Sequence, residues 1–275
     1  MMKPLLHLYS CAALVASVTL LSAFTPGFAA SQKDIDDCLK GSGDQAIAGC
    51  TNIINDTSES APNRFAAYTN RGTKWAIKGD IDRAIADFSE AIRLEPKLDV
   101  AYRNRGNAWS AKGDNDRAIA DYNEVIRLNS KDALAYIGRG DAYLANKNHG
   151  RAISDYSEAI HLDPKLAIAY NNRCWARVIT GGDPLQALGD CDQALRLEPN
   201  EASYMDTRGF AYLQLGRMDE AIADYNGALK IDPKLAGSLY GRGLAKVKKG
   251  DTAGGNADIA TAKAIKPDVA DDFAR

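Results

Sequence analysis

The stretch DRAIADFSEAIRLEP, residues 82–96, recurs along the chain. Related stretches are DRAIADYNEVIRLNS (116–130), GRAISDYSEAIHLDP (150–164), LQALGDCDQALRLEP (185–199) and DEAIADYNGALKIDP (219–233), with a weaker copy, GGNADIATAKAIKP, at 254–267. The alanine near the start of each copy, a glycine in the last, recurs at intervals of 34, 34, 35, 34 and 34 residues. A fixed period of this length indicates a repeat architecture.

Each copy has the pattern of two helices joined by a turn. On the first helix, Tyr102, Arg105, Gly106 and Trp109 follow one another at i, i+3, i+4 and i+7, a spacing typical of one helical face. Aspartates after the glycine-containing turn suit the start of the second helix, and a proline such as Pro96 ends it. Because one hairpin cannot bury its apolar face alone, we expect the copies to stack around a continuous core.

The repeated unit resembles the tetratricopeptide repeat family. That family places aromatic or large apolar residues, a glycine, two alanines and a closing proline at fixed positions, and the first full copy supplies them all as Tyr68, Gly72, Trp75, Ala84, Phe88, Ala91 and Pro96. The resemblance implies an all-α fold, a right-handed superhelix (α-solenoid) of stacked helix-turn-helix repeats. It also implies a non-enzymatic scaffold that binds a protein or peptide in its concave groove.

The resemblance covers nearly all of the chain from Ser31 onward. We predict a degenerate repeat at 31–57, a cap at 270–275 with Val269 and Phe273 turned inward, and six full units at 65–98, 99–132, 133–166, 167–201, 202–235 and 236–269. No nucleophile–base pair or metal-ligand pattern is visible, so we expect no enzymatic activity, no metal and no cofactor.

The N-terminal segment, 1–29, has the pattern of a cleaved signal peptide. Lys3 precedes the apolar run CAALVASVTLLSAF (11–24), and small residues follow it at the expected cleavage site, after Ala29 or Ala30. The run is short for a spanning helix, although a retained anchor is the alternative. We therefore expect a periplasmic or secreted monomer without a membrane span after cleavage.

The charge pattern disfavours a nucleic-acid partner. The chain has 34 Lys and Arg against 36 Asp and Glu, and no basic stripe or block of like charge is visible. A protein that binds the phosphate backbone needs such a stripe.

Every full copy pairs an arginine before the glycine position with an aspartate on the second helix. The pairs are Arg71/Asp87, Arg105/Asp121, Arg139/Asp155, Arg173/Asp190, Arg208/Asp224 and Arg242/Asp258. Six arginines in a row suggest a binding ladder. Because each recurs with its own counter-charge, we interpret them instead as internal ion pairs between helices.

Four cysteines follow the predicted signal peptide. Cys174 and Cys191 replace the glycine and the aromatic residue of the fourth full copy, which are contact residues between its two helices. We predict a disulfide there, and a second between Cys38 and Cys50, although the latter two match less well in height along their helices. A zinc site and a redox CxxC motif are the alternatives, and neither has its usual spacing.

The resemblance implies that the groove is lined two residues before and two after each arginine. From these positions we select candidate partner-binding residues, namely Arg103, Asn107, Asp141, Asn171, Trp175, Asp206, Phe210 and Tyr240. The three aromatic residues lie in consecutive repeats and are expected to face solvent, although such a stripe can also be core. The nearby aspartates favour a partner with a basic residue beside a hydrophobic anchor.

A terminal carboxylate and a glycan are two other ligands that these residues suggest. Arg103 and Asn107 resemble part of the clamp with which some family members grip a terminal carboxylate, but Gly138 and Ile168 stand where its other residues belong. That ligand is therefore not predicted. The alternative function is a glycan- or cell-wall-binding envelope module, because tryptophan and tyrosine beside Asn and Asp also suit sugar rings.

Overall fold

The structure, a computed structural model, describes residues 30–273, and these contain fourteen α-helices, one 3-10 helix and no strands. The helices are α1 (Gln32–Lys40), α2 (Gly43–Asn55), α3 (Ala61–Ile77), α4 (Ile81–Leu94), α5 (Asp99–Lys112), α6 (Asn115–Leu128), α7 (Ala133–Ala145), α8 (His149–Leu162), α9 (Ala167–Ile179), α10 (Pro184–Leu197), α11 (Ala202–Gln214), α12 (Met218–Ile231), α13 (Ala236–Lys248) and α14 (Thr252–Ile265), and the 3-10 helix is Val269–Asp272. The described residues form two compact units, 30–142 and 143–273.

The 30–142 unit is a stack of helical hairpins. Helices α1 and α2, α3 and α4, and α5 and α6 pair within hairpins, and each hairpin also packs on the next. Buried apolar residues of one hairpin meet those of its neighbour: Phe65 of α3, for example, lies in one cluster with Ala91 and Ala101. Each interface therefore completes a core that a single hairpin would leave open.

The 143–273 unit repeats the arrangement. Helix α8 packs on α9, and the series continues pairwise to α14 and the 3-10 helix. The first helices of successive hairpins, α9, α11 and α13, also contact one another directly. Their contacts form one continuous face, and this face carries the aromatic residues selected from the sequence.

Turn and cap residues explain where the helices begin. The side chains of Asp80, Asp114 and Asp251 each accept a hydrogen bond from a backbone amide in the first turn of the following helix, as expected of N-cap aspartates. Gly113 adopts a φ of +83° in the preceding turn, a backbone conformation that glycine reaches without strain. At the equivalent turn before α8, Lys147 adopts a φ of +59°.

A close approach of two helices explains the glycine in the middle of several first helices. A Cβ at Gly72 would lie 2.8 Å from the Phe88 ring, and one at Gly209 would lie 3.0 Å from the Tyr225 ring. Phe88 and Tyr225 are fully buried. The glycine thus leaves room for the aromatic ring of the second helix, which fills the hairpin interior.

The predicted all-α solenoid of stacked helical hairpins is confirmed, whereas its right-handed superhelical twist stays a prediction. The degenerate first copy is also a hairpin, α1 and α2. The predicted signal peptide, residues 1–29, lies outside the described residues. Within residues 30–273, no helix combines the length and apolar character needed to cross a bilayer.

Candidate binding site

The recurring arginines are internal ion pairs rather than a ligand-binding ladder. Each of the described pairs is bidentate, with the arginine Nε and Nη2 donating to the two carboxylate oxygens at 2.6–2.9 Å. The pairs are Arg71–Asp87, Arg105–Asp121, Arg173–Asp190, Arg208–Asp224 and Arg242–Asp258. Hydrogen bonds to the aspartates raise the pKa of Arg71, Arg105 and Arg208 against the opposing effect of burial. These guanidinium groups therefore stay charged, and their N–H donors are used in hydrogen bonds within the protein.

Sequence reasoning missed the third bond of these arginines. The Nη1 of Arg105 donates to Ser89 Oγ of the preceding hairpin at 3.0 Å, and Arg242 Nη1 donates to Asn226 Oδ1 at 2.8 Å. The equivalent acceptors elsewhere are Thr51, Asn123, Ser157 and Asp192. From the first full copy on, each acceptor lies two residues after the aspartate of its own copy, so the recurrence of a short polar residue there was the available signal. Each arginine thus joins two consecutive hairpins.

In the 30–142 unit, the selected polar residues are engaged by the fold. Arg103 Nη1 donates to Asp132 at 2.6 Å, and both side chains are largely buried. Asn107 Oδ1 accepts a hydrogen bond from the Tyr122 hydroxyl at 2.6 Å. Asp141 is half-buried and also interacts within the chain. This surface does not present the unengaged cation and amide that the sequence suggested, and a partner-binding role for the three residues stays untested.

In the 143–273 unit, three aromatic rings follow the face of α9, α11 and α13. We call Trp175, Phe210 and Tyr240 the aromatic row. The centroids of the Trp175 and Phe210 rings lie 5.2 Å apart. Trp175 and Tyr240 are half-buried, whereas Phe210 is only 3% exposed. The expectation that all three face solvent is therefore wrong for Phe210.

Residues 266–273, which we call the capping segment, cover the middle of the aromatic row. The Phe273 ring meets the Phe210 ring edge-on at a centroid distance of 5.2 Å and the Tyr240 ring at 4.9 Å. Val269 is fully buried among Leu229, Leu239 and other apolar side chains. The inward orientation expected for Val269 and Phe273 is confirmed, and Phe273 adds to the cover that the core cluster around Cys174 and Tyr225 gives Phe210.

The polar neighbours of the row, Asn171 and Asp206, are buried. Asp206 accepts a hydrogen bond from the Ser238 hydroxyl at 2.5 Å. Asn171 donates to Asn172 at 3.3 Å, while its own side-chain oxygen has no hydrogen-bond partner. Because Asp206 is 7% exposed, it does not offer a surface charge, and the expected preference for a basic partner loses this support.

A second orphan group lies behind the row. Tyr225 is fully buried in the 143–273 unit, and its hydroxyl has no hydrogen-bond partner. Burial raises its pKa well above the usual value, and the neighbouring Asp206 and Asp224 carboxylates add to the effect. The hydroxyl therefore stays protonated at neutral pH.

Both predicted disulfides are confirmed. The Cα atoms of Cys38 and Cys50 lie 4.6 Å apart and those of Cys174 and Cys191 lie 5.5 Å apart, with a sulfur–sulfur bond in each pair. The difference in height expected for the first pair does not prevent its formation, because α1 and α2 are closely packed there. Across the described residues, no three His, Cys, Asp or Glu side chains are arranged to hold a metal ion.

Two stretches of the chain match models of one repeat family. Residues 103–167 match a model described as tetratricopeptide repeat, and residues 209–250 match another described as TPR repeat. No curated protein sequence matches the chain significantly.

Solved structures with similar folds include several repeat proteins. A tetratricopeptide repeat protein from Parabacteroides merdae is 19% identical, with a TM-score of 0.70 over 87% of this chain and 94% of that one. PilF of Pseudomonas aeruginosa is 17% identical, with a TM-score of 0.65 over 76% and 95%. YrrB, described as a TPR protein with an unusual peptide-binding site, is 24% identical, with a TM-score of 0.52 over 66% and 93%. At these identities the likeness shows the fold alone.

Proposed function

We propose that this chain, a protein built of tetratricopeptide repeats, is an exported, non-enzymatic scaffold that binds a protein or peptide segment on the face of α9, α11 and α13. The aromatic row carries the proposal, because its rings come from three consecutive first helices. Trp175 and Tyr240 retain partial exposure there. Tryptophan and tyrosine are among the commonest hot-spot residues of protein interfaces.

The surroundings of the row favour a peptide over a glycan. Sugar recognition would need accessible, unengaged amides and carboxylates beside the rings. Asp206 is bound to Ser238, and Asn171, whose side-chain oxygen has no partner, is only 8% exposed. What the face offers is mainly apolar ring surface, which an apolar or aromatic side chain would cover. The peptide-binding site named for YrrB is a precedent for such a function on a similar fold.

A peptide-display selection tests the proposal. Peptides are selected on the immobilised, oxidised protein, and their affinities are then measured for the parent chain and for Trp175→Ala. We expect the substitution to weaken binding roughly tenfold or more, as for a central hot-spot residue. Trp109→Ala is the matched control, because Trp109 is also half-buried but belongs to the 30–142 unit, beneath Arg117.

Selected peptides that bind the parent and Trp175→Ala equally well would contradict the proposed site. Thermal melts of both tryptophan variants must accompany the titrations, so that loss of folding is not read as loss of contact.

Export is the second part of the proposal. The charged start, apolar run and small residues of segment 1–29 support it, and two disulfides are consistent with an oxidising compartment. Intact-mass measurement of the protein from an envelope or culture fraction should show a chain that begins at Ala30 or Ser31. Full-length protein confined to the cytosol would contradict it.

A further inference from the structure

The contacts of Phe273 resemble those of a bound ligand side chain. Its ring lies between Phe210 and Tyr240, in edge-on and tilted contacts at 5.2 and 4.9 Å. Both geometries are favourable for aromatic pairs. Phe273 itself remains half-buried. The aromatic row therefore already accommodates one aromatic side chain from outside its three helices.

Apart from the backbone bond of Lys266 to Ala262 at the end of α14, the capping segment meets this face through side-chain packing. Among the described residues, the hydrogen bonds and ion pairs of residues 269–273 stay within the segment: Val269 to Lys266, Asp271 to Asp268, Phe273 to Ala270, and the 2.5 Å Lys266–Asp272 pair. Val269 is fully buried and anchors the beginning of the short helix, whereas Phe273 lies at its end. In the part of the chain that the structure describes, residues 270–273 thus make no hydrogen bond or ion pair with α9, α11 or α13, and the buried Asp272 carboxylate is paired with Lys266.

We infer that Phe273 occupies the subsite for an aromatic side chain of the partner, so that the capping segment and a partner peptide with an aromatic anchor compete for the aromatic row. This inference rests on the proposed function of the row. A ligand that must displace a resident group binds with an affinity reduced by the fraction of molecules in which the site is open. The capping segment thus lowers the apparent affinity for a partner peptide. It favours peptides with an aromatic side chain that can take the place of Phe273.

The charged residues of the capping segment indicate that a partner needs no charge beside its aromatic anchor. Asp271 is exposed, and Asp272 is neutralised by Lys266 within the segment itself. No charged residue of the three helices is used to hold Phe273 in place. The recognised feature is therefore the aromatic ring, and the sequence around it is loosely constrained.

A synthetic peptide of residues 264–273, with 4-fluorophenylalanine at the position of Phe273, is the probe. Its binding is followed by ¹⁹F NMR on the oxidised parent chain, on Phe273→Ala, and on a chain that ends at Val269. We expect saturable binding to both altered chains and about tenfold weaker binding to the parent, a factor in keeping with the burial of part of a phenylalanine ring.

Two controls make the result specific. The same peptide with alanine in place of the phenylalanine should not bind, and Tyr240→Ala in the Phe273→Ala chain should weaken binding of the fluorinated peptide. The chain ending at Val269 guards against a folding defect, because it retains the buried anchor of the cap. Circular dichroism melts establish that each variant is folded.

Three outcomes would overturn the inference. Equal affinity for the parent and Phe273→Ala would show that the segment does not compete. Absence of binding to both altered chains would show that the subsite does not take an aromatic ligand, while Trp175-dependent binding of display-selected peptides would still support the proposed function. A parent dimer that becomes a monomer in Phe273→Ala, seen by light scattering, would assign the ring contact to a second copy.

Discussion

Individual residues determine how each hairpin is joined to the next, and the arginine–aspartate pair is the clearest case. In the pair Arg105–Asp121 the carboxylate is buried and the arginine side chain is 23% exposed. The arginine also donates a hydrogen bond to Ser89 of the preceding hairpin. Removal of one partner leaves a charge in a poorly solvated position, whereas removal of both does not. A variant that lacks only the aspartate should therefore be less stable than one that lacks both charged residues.

We predict that Asp121→Ala lowers the free energy of unfolding by about 3 kcal/mol, because Arg105 is left without its counter-charge. The double variant Arg105→Met/Asp121→Leu should lose less than Asp121→Ala alone. Urea unfolding of the parent and of the two variants measures these free energies. Arg127→Ala is the control, since its pair with Glu124 is solvent-exposed and should contribute at most about 1 kcal/mol. A double variant less stable than the single one would refute the interpretation.

The buried hydroxyl of Tyr225 should not stabilise the fold. Tyr225→Phe removes a buried group that has no hydrogen-bond partner, so stability should be unchanged or rise by up to about 1 kcal/mol. Tyr122→Phe is the matched control, because its hydroxyl donates to Asn107 at 2.6 Å, and its loss should cost about 1 kcal/mol. Equal losses in the two variants would show that Tyr225 has a partner after all.

Among the elements, the hairpin of α9 and α10 has a disulfide between its two helices. The disulfide lies at the two positions where full copies such as α11 and α12 pack a glycine against an aromatic ring. The hairpins α3–α4, α5–α6 and α11–α12 place a glycine of the first helix against an aromatic ring of the second, as in Gly209 and Tyr225. Cys174 and Cys191 stand at the same two places and are joined covalently. The disulfide therefore replaces the ring packing that holds the two helices together elsewhere.

This replacement can be reversed. All chains are compared in a Cys38→Ala/Cys50→Ala background, so that reductant acts on the Cys174–Cys191 disulfide and not on the second disulfide. In that background, reduction of Cys174–Cys191 should lower the free energy of unfolding by about 3 kcal/mol, as for a disulfide that closes a loop of this size, and the helical circular dichroism should be retained. Cys174→Gly/Cys191→Tyr should be insensitive to reductant at this hairpin and recover part of that loss, whereas Cys174→Ala/Cys191→Ala should not. Thermal melts with and without reductant compare them. A glycine–tyrosine variant no better than the alanine variant would contradict the equivalence.

The sequence was sufficient for the helical hairpins because their signals are local and repeated. Turn glycines, N-cap aspartates and the glycine–aromatic pair recur in most copies, and the regular spacing of the arginine–aspartate pair predicted the ion pairs. The third arginine bond was missed because it joins two copies. It becomes visible only when Ser89, Asn123 and their equivalents are aligned with the arginine of the following copy.

At the scale of the whole molecule, the candidate site was predicted only in part. The spacing identified the residues of the aromatic row, but not which of them solvent reaches. Phe210 is buried by side chains of several helices, Cys174 and Tyr225 among them, and by Phe273, which is distant from it in the sequence. Burial of Asp206 likewise depends on Ser238 of the next hairpin. Contacts of this kind are tertiary, and repeat spacing does not specify them.

The two units use corresponding positions differently. In the 30–142 unit, Arg103 and Asn107 are engaged by Asp132 and Tyr122. In the 143–273 unit, the corresponding face carries aromatic rings and the capping segment. This contrast supports the proposed binding face on α9, α11 and α13, and we expect a peptide to protect these first helices rather than α10, α12 and α14.

Hydrogen–deuterium exchange, with and without a display-selected peptide, tests this claim most directly. We predict slower exchange in α9, α11 and α13 on binding, together with faster exchange in residues 269–273 as Phe273 leaves the aromatic row. Protection confined to α10, α12 and α14, or to the 30–142 unit, with no change in exchange of the capping segment, would contradict it.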